Sequence, residues 1–316
     1  MRHLKLIPEK TNFTFMRWRN IAFALTALLT LLAAGFFFGR GLNLGIDFAG
    51  GIVIEVRSPD AANLGQMRTV LSRLPLGEVA LQEFGSSNDV LIRIQRQEGD
   101  ERAQQAAVEQ VREALKRDVS EGISFRRVEF VGPKVSGELI EAAIYAVLIS
   151  LIGILVYIWF RFEWQYGLGA VITTIHDAIM TIGFFAVTGL EFNLTSVAAI
   201  LTVIGYSIND TVVVYDRVRE NMRKYKTMPL DTMLDLCINE TLSRTVMTGA
   251  TTLLALLALF IFGGEVIRSF TAAMIFGIIV GTYSSVFVAA PILIHLKLKR
   301  GGEKGEGASA AGAEAD

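Results

Sequence analysis

Several polar or ionisable side chains stand inside otherwise apolar runs: His176 and Asp177 in "TTIHDAIM", Asn209 and Asp210 in "GYSINDTVVVYDRVRE", and Arg244 in "TLSRTVMTGATT". An Asp or Arg at the centre of a membrane helix costs about 2.5–3.5 kcal/mol on insertion scales. Hydrogen bonds between helices return about 0.6–2 kcal/mol apiece, so packing alone leaves part of that cost unmet. Proton carriage is the chemistry that fits. Burial favours a neutral carboxyl and a neighbouring guanidinium favours the carboxylate, so a small movement of Arg244 against Asp210 would make the acid hold or release a proton. Each charge that crosses delivers about 2.3 kcal/mol per 100 mV, enough to bias a two-state element more than tenfold. Asp177 reads as a relay step or a helix clamp. For His176, Asn209 and the ladder of Thr245, Thr248, Thr251 and Thr252, a packing role stands beside the functional one.

These residues need helices to hold them. The 316-residue chain is 52% hydrophobic and 19% charged, with a mean hydropathy of +0.46, against about 25% charge in soluble domains. Six apolar runs, 21–38, 139–160, 166–188, 194–215, 245–262 and 270–296, approach the roughly 20 residues that cross about 30 Å of hydrocarbon. They predict six transmembrane helices. The fourth and fifth run antiparallel, with Asp210 and Arg244 at similar depth, so the two can meet. Gly277 and Gly281 make a small-xxx-small step in the sixth, a mark of close helix packing.

Lys and Arg set the orientation. Segment 1–20 carries Arg2, Lys5, Lys10, Arg17 and Arg19; the predicted loop 217–243 carries Arg219, Arg223, Lys224 and Lys226; Lys297, Lys299 and Arg300 follow the last helix. The opposite connections, "TGLEFN" and "FGGEV", hold only Glu191 and Glu265. Both termini and the 217–243 loop are therefore expected in the cytoplasm. Asp216 and Arg217 read as interfacial, with Arg217 snorkelling to the headgroups. Helix 1 has the basic start and apolar core of a secretory signal, yet no small-x-small cleavage site follows, and the topology needs it as an uncleaved anchor. The segment 301–316, "GGEKGEGASAAGAEAD", is small, polar and expected to be a disordered cytoplasmic tail.

Segment 40–134 then lies outside. Strand-like alternation in "GGIVIEVRS", "EVALQEFG", "DVLIRIQRQ" and "ISFRRVEFV", with a connection at "SSN", and helical spacing in "ANLGQMRTVLSRL" and "ERAQQAAVEQVREALKR", give the order βαββαβ. That order suggests a small α+β ferredoxin-like domain between helices 1 and 2. It holds no His, no Cys and no nucleophile-and-base constellation, so it reads as a docking or lever domain, and the chain as no enzyme. "GRGLNLG" misses the GxGxxG spacing and follows a membrane helix. A net charge of −1 gives no basic surface for nucleic acid. One Cys and three His build neither a disulfide framework nor a metal cluster, no cofactor is expected beyond the proton gradient, and Cys237 in a cytoplasmic loop should stay reduced. A six-helix unit with an outer domain after its first helix looks like half of a transporter made of parallel repeats, which needs its other half.

Six ordered stretches carry a family resemblance: "GIDFAGG", "VGPKVSGEL", "HDA", "GYSINDTVVVYDRVRE", "TLSRTVMTG" and "GTYSSVFVAAP". Together they resemble the SecD/SecF family of protein translocase subunits, related to the proton-driven RND transporters, from about Leu4 to Leu298. The SecF branch is favoured, since SecD carries a much longer external region and a different fourth helix. The resemblance implies a multi-pass protein of the bacterial inner membrane that works with SecD and the SecYEG translocon. It would use the proton motive force to help draw preproteins across, with membrane lipids around it. It places the family's intramembrane acid and base on Asp210 and Arg244. Most preprotein contact would fall to SecD, with 40–134 assisting or transmitting motion. The alternative is half of a proton-driven RND-type exporter of small molecules or lipids. An intramembrane protease using Asp177 and Asp210 lacks a GxGD-like stretch.

Overall fold

The computed structural model describes residues 11–77, 79–99, 101–264 and 267–296. Arg2, Lys5, Lys10, Glu265, Lys297, Lys299, Arg300 and the expected tail 301–316 lie outside the described residues. A short 3-10 turn, Met16–Trp18, leads into α1 (Arg19–Arg40). There follow β1 (Asn43–Leu44), α2 (Ile46–Ala49), β2 (Gly51–Arg57), α3 (Leu64–Leu71), β3 (Val79–Phe84), β4 (Ser86–Ile94), α4 (Glu101–Asp118) and β5 (Ser124–Val131). The chain continues through α5 (Pro133–Arg161), α6 (Trp164–Thr188), β6 (Glu191–Phe192), α7 (Leu194–Lys224), α8 (Leu230–Phe262) and α9 (Arg268–Ser284). A π-helical turn, Ser285–Ala289, joins α9 to α10 (Ala290–His295).

Among the described residues six helices are long and apolar enough to cross a membrane: α1, α5, α6, α7, α8, and α9 with its continuation. Helices α6, α7 and α9 bury more than half of their most apolar stretch, whereas α1 and α8 bury little and α5 none. The first three are therefore the centre of the bundle and the others its rim. Pro133 opens α5, where its missing N–H is no loss. A capping box starts α7: Asn193 Oδ1 accepts from Ser196 N, and Ser196 Oγ accepts from Asn193 N. Asp210 then lies about 24 Å along the axis from Leu194, at 1.5 Å per residue.

Between α1 and α5 a four-stranded antiparallel sheet has the order β3-β4-β2-β5. Period-two alternation sends Ile52, Ile54 and Val56 of β2 and Val90, Ile92 and Ile94 of β4 to one face, where Met67 and Leu71 of α3 and Val111 and Leu115 of α4 close the core. Gly50 and Gly51 have φ of +70° and +128°, which only glycine adopts freely, and a Cβ at Gly51 would lie 2.7 Å from the Ile94 carbonyl. This pair turns the chain from α2 into β2.

Two local expectations change. The β3–β4 connection is not at "SSN": Gly85, with φ +75°, makes the turn, and Ser86 already pairs with Phe84. The predicted loop 217–243 is mostly helix, since α7 runs to Lys224 and α8 starts at Leu230. Hydropathy marks only the length that needs lipid. Beyond it both helices continue because Val218, Met233, Leu234, Cys237 and Ile238 bury against one another and Met16. Cys237 is thus fully buried in a helix, not in a loop.

Long-range ties hold the two ends. The segment before α1 binds α8 through Phe13 N to Asn239 Oδ1 at 2.9 Å, Met16 N to Asp235 Oδ1 at 2.9 Å, and an Arg19–Asp231 ion pair at 2.5 Å. At the other end β1 pairs in parallel with β6, Asn43 with Glu191 and Leu44 with Phe192, and Leu194 N donates to Asp47 Oδ2, 147 residues earlier in the chain, at 3.0 Å.

Candidate functional site

The α+β domain sits on the α6–α7 connection. Arg93 of β4 forms an ion pair with Glu191 of β6, and Asn43 Nδ2 donates to Gly189 O at 2.9 Å. Burial pushes the Glu191 carboxyl up, against the pull of Arg93. A cleft of 440 Å³ opens beside this seam, between the sheet face opposite the α3–α4 layer and the head of α9, lined by Glu55, Arg93, Arg127, Glu191 and Arg268 among others.

Below the seam, in the bundle centre, Asp177 of α6 is fully buried. Its Oδ2 accepts from Ser207 Oγ of α7 and, at 2.9 Å, from Ser284 Oγ of α9. Its Oδ1 lies 2.9 Å from Nδ1 of His176. One carboxyl therefore joins the three central helices, and its two oxygens are both engaged. Small residues let those helices close up. A Cβ at Gly277 of α9 would overlap Val203 of α7, and one at Gly281 would lie 3.0 Å from Ser207 Cβ. The polar group of Ser207 reaches Asp177 because nothing stands between.

Asp210 is in the opposite condition. It is 3% exposed, and its Oδ2 is buried with no hydrogen-bond partner. Arg244 is exposed on α8, which packs beside the α7 of Asp210. Among the described residues no ion pair joins the two, so the expected meeting is an approach across the α7–α8 seam. The guanidinium stays at the rim because desolvating it beside one carboxylate costs more than a single pair returns. Asn209 points to the exposed side of α7 and does not share the buried site. Thr248, Thr251 and Thr252 donate back to carbonyls of their own helix at 2.9 Å, and Thr245 is buried. Asp216 pairs with Arg161 at 2.8 Å, and Arg217 with Glu220 at 2.9 Å.

Residues 110–299 match the sequence model of the protein export membrane protein SecD/SecF, C-terminal. Residues 35–58, which include Gly50 and Gly51, match that of the SecD/SecF GG motif. The chain belongs to the SecD/SecF family. With six long apolar helices among the described residues it is a membrane protein. The protein translocase subunit SecF of Rickettsia bellii (strain OSU 85-389) is 48% identical over 290 residues, 92% of this chain and 95% of the relative. That of Rhodobacter capsulatus is 49% identical over 313 residues, 95% and 94% of the two chains. The crystal structure of SecDF, a translocon-associated membrane protein from Thermus thermophilus, superposes with a TM-score of 0.82 at 35% identity. That alignment covers 93% of this chain but 40% of SecDF, so the chain spans less than half of that protein. The super-membrane-facing form of SecDF gives 0.67 at 34% identity.

In this SecD/SecF chain three site residues carry no charge that would set them apart in an apolar run. Ser207 and Ser284 are too mildly polar to stand out, although Ser207 lies three residues before Asp210 on the same helix. Tyr206, whose hydroxyl is buried without a partner, reads as an ordinary aromatic in an apolar run. The π turn after Ser284 also left no trace in hydropathy. There Thr211 Oγ1 meets Ser285 Oγ at 3.1 Å, and Tyr215 OH donates to Ala289 O at 3.0 Å. Such turns occur often at functional sites.

Proposed function

We propose that this chain is a SecF-type translocase subunit that, with SecD and the SecYEG translocon, uses the proton motive force to promote preprotein export. Asp210 is the proton carrier. The observation that carries this reading is its buried, unpartnered Oδ2 in α7, with Arg244 on the adjacent α8. An acid so placed holds its proton while Arg244 stays at the rim and yields it when Arg244 closes in. The satisfied cluster at Asp177 is the rigid pivot on which the helices move. The translocase work involves no covalent catalysis by this chain.

SecD as companion is supported by the 40% share of the joined SecDF chain that this chain matches and by the lone six-helix unit itself. Both termini are assigned to the cytoplasm and the α+β domain to the outside, on the Lys and Arg of the α7–α8 end. We assign that domain to the ferredoxin-like class, supported by its strand order β3-β4-β2-β5. Its seam with the α6–α7 connection would pass motion of the bundle outward.

The test is Asp210→Asn in vesicles carrying the assembled complex with an imposed proton gradient. The variant should assemble and lose gradient-driven export, with Arg244→Met behaving alike. Normal gradient-driven export by Asp210→Asn would overturn the reading.

A further inference from the structure

Tyr206 and Asp210 are four residues apart on α7, so their side chains leave the same flank of the helix. Each ends in a buried polar atom without a protein partner, the Tyr206 hydroxyl and Asp210 Oδ2. Buried polar atoms in folded proteins bond to protein or to ordered water. Two such atoms one turn apart on a single flank mark a place suited to water.

The facing helices are shaped for the same purpose. A Cβ built at Gly249 of α8 would lie 4.0 Å from the Tyr206 hydroxyl and 3.8 Å from Oγ1 of Thr282 on α9. Three helices thus converge where one of them has no side chain. Thr252 approaches the Tyr206 hydroxyl without closing a bond of normal geometry. Along α8, Arg244, Thr248 and Thr252 follow at four-residue spacing. The hydroxyls of Thr248 and Thr252 give their hydrogens to Arg244 O and Thr248 O, which leaves the hydroxyl oxygens free to accept.

The direction of this polar file is set by the fold. Leu194 at the start of α7 lies against Asp47 of the α+β domain, so the step from Asp210 to Tyr206 leads toward that domain. On antiparallel α8 the same direction runs from Arg244 to Thr252.

We infer that Tyr206 is a proton-relay residue that connects Asp210 to the domain end of the bundle through water held against Gly249, Thr252 and Thr282. The inference rests on the reading of Asp210 as carrier and extends it by naming the next group. In the relay step the Tyr206 O–H bond breaks as its hydrogen passes to the Asp210 carboxylate, directly or through one water. A hydronium on the far side gives its proton to the same phenolic oxygen. One O–H bond forms for each that breaks, and no electrons are transferred.

The test follows the carboxyl of Asp210 by infrared spectroscopy of the full chain in lipid, with the protonated C=O band identified by its loss in Asp210→Asn. On transfer to deuterated water, exchange at Asp210 should be about tenfold slower in Tyr206→Phe than in the parent, while Tyr206→His, which restores an exchangeable group, should recover it. Gradient-driven export by Tyr206→Phe in vesicles should fall in parallel, with gradient-independent translocation unchanged. Equal exchange rates in Tyr206→Phe and the parent would overturn the relay while leaving Asp210 as carrier. Absence of any band lost in Asp210→Asn, together with normal export by that variant, would overturn the relay and the carrier reading alike.

Discussion

Asp177 and Asp210 are both carboxyls among apolar helices, and their neighbours divide their work. Asp177 takes two serine hydroxyls and an imidazole from α6, α7 and α9. Asp210 keeps a bare oxygen. A fully bonded group is costly to remove, since each buried partner left unpaired costs about 1–3 kcal/mol. Asp177→Ala should therefore destabilise the bundle by about 3 kcal/mol or more and lower the yield of assembled complex, read by thermal unfolding in detergent. Whatever complex still assembles should keep gradient-driven export, slowed by the loosened pivot but not abolished. An assembled, well-folded Asp177→Ala complex without gradient-driven export would instead put Asp177 on the proton path.

At the scale of elements, the α+β domain is joined to the bundle by short pieces: β1 with β6, Asp47 with the start of α7, and Arg93 with Glu191. Arg93→Ala would leave Glu191 largely buried beside Asp47 without its ion-pair partner. Breaking a buried pair costs about 3–5 kcal/mol, less where water reaches it as here, so a loss of about 1–3 kcal/mol is expected. Hydrogen exchange should quicken at 43–44 and 189–192 while the sheet core stays protected; unchanged exchange there would remove the ion pair from the seam. Acid should act on the sheet itself. Hydrogen bonds from Arg57, with Ser86 beside it, hold the Asp89 carboxyl down to about 2. A lowered carboxyl stabilises the fold above its ordinary value of about 3.9 and loses that contribution as pH falls toward about 2. Amide protection in β2 and β4 should drop across that window, and Asp89→Asn should flatten the drop.

For the whole molecule, the centre of three helices is complete and the rim is not. Along α5, Ile144, Ile149 and Ile152 are exposed, and along α8 so are Leu254 and Ile261 together with Arg244. Lipid suits the apolar residues but not a guanidinium, which makes the α8 face the side expected to meet the SecD-type companion. Arg244→Cys gives a direct reading, because the native Cys237 is fully buried and adds little background. A small maleimide should label the variant in the chain alone and much less in the assembled complex. Equal labelling in both would show that this face stays open.

How much of this was legible locally depends on what each feature needs. Six spans follow from hydropathy alone, because every backbone amide in oil must bond within its own helix and about 20 apolar residues do that. The intramembrane acids stood out for the same reason, as costs that the surrounding residues do not explain. The motifs from "GIDFAGG" to "GTYSSVFVAAP" carry the family resemblance without any knowledge of contacts. Only the tertiary structure decided which acid is clamped and which is bare, since Ser207, Ser284 and Tyr206 acquire their roles from helices that lie far apart in the chain. The same holds for the continued helices in 217–243, for the two-residue strands β1 and β6, and for Arg244 at the rim. A period in the sequence reports which face of an element is apolar; what packs against that face is a property of the closed bundle.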